Sequence, residues 1–98
     1  MTIKLLLVDD QNLVRQGIQS LLQLSDKIEV VAQLDDGVQV EAGIEQYNPD
    51  IILLDIRMPV MSGTDVLSMM KTKGLNTPVL VLTTFDEHEL VLECMKLG

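Results

Sequence analysis

Residues 4–10 read KLLLVDD. The apolar run Leu5 to Val8 leads directly into two adjacent carboxylates, Asp9 and Asp10. A short unbroken apolar run bounded by charge fits a strand buried on both faces. The acidic pair at its end is the anomaly, because like charges held together repel and need compensation from elsewhere in the chain.

Working outward, the pattern repeats. Ile28 to Ala32 is a second apolar run, followed by LDDG at 34–37, a turn signal. Ile51 to Leu54 is a third and closes on Asp55, and Val79 to Leu82, opened by Pro78, is a fourth and closes on Thr83 and Thr84. Between these runs the apolar residues space as helices: Leu13, Val14, Gly17, Ile18, Leu21 and Leu22 first, then Val40, Gly43, Ile44 and Tyr47, ended by NPD at 48–50. Val66, Leu67 and Met70 mark a third helix, ended by Gly74, and residues 86–97 are predicted as a fourth, with acidic residues suited to its N-terminus. Apolar strands alternating with helices predict an α/β fold, a three-layer doubly wound parallel sheet with helices on each face. Right-handed crossovers leave few strand orders to consider.

Bulk properties narrow the function. A chain of 98 residues fits one domain, and 47% hydrophobic with 22% charged residues fits a globular one. The formal net charge of −8 repels nucleic-acid phosphates and anionic membranes. With no basic patch and only Tyr47 and Phe85 as aromatics, direct nucleic-acid binding is not expected. No apolar run is long enough to cross a bilayer, and the N-terminus lacks the pattern of a signal peptide. The lone cysteine, Cys94, permits no intrachain disulfide, which suits a reducing compartment. A cytoplasmic location is the expectation.

In doubly wound sheets, ligands bind beyond the carboxyl ends of the strands. Asp9, Asp10, Asp55, Thr83 and Thr84 all fall at such ends, far apart in sequence. With Asp10 and Asp55 about 5 Å apart, their repulsion at an effective dielectric near 20 is roughly 3 kcal/mol. A divalent cation removes that cost. The donors are hard oxygens, which suits Mg²⁺, with Mn²⁺ able to substitute. Asp is a known phosphoryl acceptor, and a Thr83 hydroxyl at a neighbouring strand end suits donation to a phosphoryl oxygen. Taken singly, Asp10 also reads as a helix N-cap; it is the combination that points to a site.

Three segments together resemble the receiver domains of two-component response regulators: LLLVDDQNLVRQGI at 5–18, PDIILLDIRMPVMSG at 49–63 and PVLVLTTFDE at 78–87. The last is similar to the LuxR/NarL-type subfamily, whose members usually carry a C-terminal helix-turn-helix. The resemblance covers the whole chain. It implies strand order 2-1-3-4 and Asp55 as the residue phosphorylated by a sensor histidine kinase. It implies Mg²⁺ held by Asp10, Asp55 and the backbone carbonyl of Arg57, with Asp9 acting through a metal-bound water. Thr83, with Thr84 beside it, would contact the phosphoryl group. By position in the chain, Met58 and Pro59 in the loop after Asp55, and Phe85 two residues beyond Thr83, are expected to line the site. The domain would be a signalling module rather than an enzyme, controlling transcription through a DNA-binding domain.

A receiver continues through a fifth strand, a Lys that pairs with the phosphoryl group, and a fifth helix. This chain ends at ECMKLG, so residues 1–98 are expected to be one receiver domain incomplete at its C-terminus, able to self-associate through an exposed fourth strand or helix. Two alternatives remain open. One is a receiver fold kept for protein interaction without phosphorylation. The other is a haloacid dehalogenase-type phosphatase, which requires a second Asp two residues after the first; that position is Arg57.

Overall fold

The computed structural model describes residues 2–82. Thr83, Thr84, Phe85, Cys94 and the helix expected over 86–97 lie outside the described residues. The described elements alternate as the spacing predicts: β1 (Ile3–Val8), α1 (Asn12–Leu22), β2 (Ile28–Leu34), a short 3-10 turn (Gly37–Gln39), α2 (Val40–Tyr47), β3 (Ile51–Asp55), α3 (Gly63–Thr72) and β4 (Val79–Leu82). All strand pairs are parallel and the order is β2-β1-β3-β4.

Burial follows the alternation of side chains along β1. Leu6 and Val8 point into one core with Ile52, Leu54, Val40, Val66 and Met70, where α2 and α3 cover the sheet. Leu5 and Leu7 point to the opposite face with Leu53, where Ile18 and Leu22 of α1 pack. A strand buried on both faces has no polar side, which is why the run at 5–8 does not alternate. β2 runs two residues beyond the apolar stretch Ile28 to Ala32, and a register shift opposite Leu5 and Leu6 accommodates the extra residue.

The helix ends obey local chemistry. Asn48 closes α2 in the left-handed conformation, and the Asp50 carboxylate then accepts from the Lys4 amide at 2.8 Å, locking the entry of β3 to β1. Gly74, at φ +68°, turns the chain after α3. α1 packs on the sheet through Ile18 and Leu22, the only two of its apolar residues that join a core cluster. It contains no fully buried residue, and Leu13 is 82% exposed, so the apolar spacing of this helix overstates its contact with the core.

Leu6 is fully buried, whereas Leu24 is 85% exposed. Leu6→Ala is expected to cost about 2–5 kcal/mol in a urea titration. Leu24→Ala is expected to stay within about 0.5 kcal/mol of the parent.

Candidate metal and phosphoacceptor site

β1 and β3 run side by side with Val8 opposite Leu54. The next residues are Asp9, just past the end of β1, and Asp55, the last residue of β3, and Asp10 follows Asp9. One carboxylate oxygen from each of Asp9, Asp10 and Asp55 lies within 4.8 Å of the others. Asp9 is buried, Asp55 half-buried and Asp10 exposed, so the cluster grades from the protein interior to solvent. The three acids expected to share a site therefore do so. Their donors are carboxylate oxygens alone, a set that fits a hard divalent cation.

Asp9 is held on several sides. Its amide donates to the Leu34 carbonyl at 3.0 Å, and its Oδ1 accepts from the Gln11 amide at 2.8 Å. Arg15 reaches back from α1 and donates to the Asp9 carbonyl at 2.6 Å and to Asn12 Oδ1 at 2.7 Å. Burial pushes the Asp9 carboxyl above its ordinary value; the Gln11 amide opposes this, the Asp10 charge adds to it, and Arg15 again opposes it. The net shift is upward, so ionised Asp9 is a cost in this fold that a cation would relieve. Asp10 is not a helix cap: the N-cap of α1 is Gln11, whose side chain makes no capping bond.

Beyond Asp55 the chain loops out from Ile56 to Gly63. The Arg57 amide donates to Asp55 Oδ1 at 3.4 Å, a long contact. Gly63 closes the neck of the loop by donating to the Ile56 carbonyl at 2.7 Å. A Cβ on Gly63 would lie 2.7 Å from the Asp55 carbonyl oxygen and 2.8 Å from Ile56 Cα, which accounts for glycine there. Ser62 and Asp65 then form a reciprocal capping box that starts α3. Met58, expected to line the site, is buried and packs in the core with Leu6, Val8 and Val66, while Pro59 is exposed.

The outer part of this loop is gripped by Asp36, which in sequence is part of the LDDG turn signal. The residue is 6% exposed. Oδ2 accepts from the Val60 amide at 3.0 Å, and Oδ1 accepts from Met61 at 2.8 Å and from Val38 at 3.2 Å. Burial alone would raise this carboxyl, but the amides of Val60, Met61, Val38 and Gly37 outweigh it and hold the group below its ordinary value of 3.8. An Asp-Gly pair is a common turn signal, and nothing local in the sequence indicates partners 24 and 25 residues away.

Residues 5–98 match the family model described as the response regulator receiver domain. The chain is 38% identical over 96 residues to the transcriptional regulatory protein LnrK of Bacillus subtilis, covering 98% of this chain and 44% of that protein. It is 39% identical over 84 residues to a nitrate/nitrite response regulator protein homolog of Haemophilus influenzae, covering 86% of this chain and 40% of that protein. The chain thus spans less than half the length of these curated relatives. Among solved structures, the signal receiver domain of the response regulator NarL from Mycobacterium tuberculosis superposes with a TM-score of 0.90 at 34% identity, covering 99% of this chain and 78% of that one.

The pKa of Asp36 sets a sign. A carboxyl held below its unfolded value stabilises the fold above that value, and the contribution is lost as pH falls through the lowered one. Asp36→Asn is expected to destabilise the protein by about 1–3 kcal/mol near pH 7. The gap between parent and variant should narrow as pH falls below about 3.8, measured by urea titration across that range.

Proposed function

Because the chain belongs to the response regulator receiver domain family, with LuxR/NarL-type relatives, we propose that Asp55 accepts a phosphoryl group from a sensor histidine kinase. The observation that carries this reading is the convergence of Asp9, Asp10 and Asp55 within 4.8 Å, with Asp55 half-buried rather than sealed. A nucleophile needs that position: fixed by its strand, yet open to a donor.

In the transfer, an Asp55 carboxylate oxygen attacks the phosphorus of a phosphoimidazole. The P–N bond breaks, the imidazole leaves with the electron pair and takes up a proton, and an acyl phosphate remains on Asp55. Asp10, Asp55 and the Arg57 carbonyl would hold Mg²⁺, with Asp9 contributing through water and Mn²⁺ able to replace the ion. The cation, when bound, neutralises charge on the phosphoryl oxygens and on the carboxylates. Asp9 and Arg15 keep the ligand-bearing turn in place. Thr83 and Thr84, beyond the described residues, are the proposed contacts of the phosphoryl group.

On this reading the domain is a signalling module whose only chemistry is the gain and loss of its own phosphoryl group. Its output would be transcription, exerted through a DNA-binding part, since a chain of net charge −8 is unsuited to touching DNA itself. No helix among the described residues is long and apolar enough to cross a membrane, and a cytoplasmic site of action, where such kinases present their phosphohistidine, is part of the proposal. The phosphatase alternative is disfavoured because its acid–base Asp would stand at Arg57.

Incubation with Mg²⁺ and acetyl phosphate, followed by intact-mass measurement, is expected to show one phosphoryl adduct on the parent and none on Asp55→Asn. A parent that binds Mg²⁺ saturably yet forms no adduct would instead support the interaction-only reading.

A further inference from the structure

We propose that Asp36 is a positioning residue for the metal site, holding the loop 57–62 so that the Arg57 carbonyl is presented to the cation. The inference rests on the reading of the site given above and adds to it a residue on a different connection of the fold.

The inner part of the loop is anchored by Met58, which is buried in the core, and Met61 packs against the same core. The neck of the loop is fixed by the Gly63 to Ile56 bond and its exit by the Ser62–Asp65 box. At the outer edge, by contrast, Pro59 is exposed and Val60 is 74% exposed, so burial contributes almost nothing there. The grip on this stretch comes from across the sheet end. Both carboxylate oxygens of Asp36 are used: Oδ2 on Val60, and Oδ1 on Met61 and on Val38 of its own turn. The next residue closes the remaining space. A Cβ on Gly37 would lie 2.4 Å from the Met61 carbonyl oxygen and 2.6 Å from Val66 Cγ2. The turn after β2 is thus in direct contact with the loop after β3, with charge-assisted bonds on one side and steric contact on the other.

Val60 stands three residues from Arg57 on the same short loop, with Met58 seated in the core between them, so on this proposal the pose of the Arg57 peptide is set by Met58 from within and by Asp36 from the outer edge. Partners that orient a ligand without touching the ion typically change metal affinity 10–100-fold when removed.

The atoms allow a selective cut. In Asp36→Asn, the remaining carbonyl oxygen can still serve Met61 and Val38, but an amide NH₂ then faces the Val60 N–H. Asp36→Ala removes all three bonds. Ile44→Val, on α2 in the same core, is the control for plain destabilisation. Mg²⁺ would be titrated by calorimetry on folded protein, well below each variant's unfolding midpoint, while the ¹³C shift of the Arg57 carbonyl is followed by NMR.

The expected result is affinity about 10-fold or more weaker for Asp36→Ala, an intermediate loss for Asp36→Asn, and none for Ile44→Val. The Arg57 shift in the metal-free variants should also move away from that of the parent. Folded variants that bind Mg²⁺ as the parent does, with the Arg57 signal unmoved, would overturn the proposal and leave Asp36 a purely structural residue. Should Asp36→Ala fail to fold, Asp36→Asn decides alone, and unchanged affinity there overturns it equally. A parent without saturable Mg²⁺ binding would overturn the reading of the acidic site itself, and the positioning role with it.

Discussion

The parallel pairing of β1 with β3 is the constraint on which the rest of this protein depends. Val8 lies opposite Leu54, and the residue that follows each of them in the chain is a carboxylate. A slip of one residue would turn Leu6 and Val8 from one core to the other and would move Asp9 out of line with Asp55. Register here is set by burial: both faces of β1 are packed, by α2 and α3 on one side and by α1 on the other. The energy that holds the site together therefore comes largely from leucine, isoleucine and valine side chains that take no part in its chemistry.

That packing forces three acids together against their mutual repulsion. The conflict is visible at Asp9, whose carboxyl is pushed upward by burial and by the Asp10 charge, even though the Gln11 amide and Arg15 work against both. Asp36 lies at the opposite extreme: it too is buried, but backbone amides surround its charge and hold its carboxyl low. Two buried aspartates at the same end of one sheet thus differ in kind. One has its charge satisfied by the protein. The other keeps an unmet demand for positive charge, which is the electrostatic property expected of a cation ligand.

The loop from Ile56 to Gly63 shows how a site can be shaped by exclusion as well as attraction. Gly63 and Gly37 are each required by close backbone approach, and both press on the segment that carries Arg57. Met58 turns inward and ties the loop to the core. The loop is consequently fixed at its neck, its exit and its outer edge.

Much of this was legible in the chain itself. Apolar runs at 5–8, 30–32, 51–54 and 79–82, separated by helical spacing, determined the alternating architecture, because burial on two faces and burial on one stripe leave different periodicities. The strand-end acids were legible for the same reason: a charge that ends a buried run stands out. What the sequence could not determine was anything that depends on two connections meeting. Asp36 reads as half of an ordinary Asp-Gly turn, Met58 as a loop residue beside Pro59, and Leu13 as the start of an apolar helix face. Only the tertiary structure decided that Asp36 grips amides 24 and 25 residues away, that Met58 is core, and that Leu13 faces outward. Local sequence records a residue's own backbone preference and average polarity. Which neighbour it meets across the end of the sheet is set by strand order and register, and these exist only once the whole chain has packed.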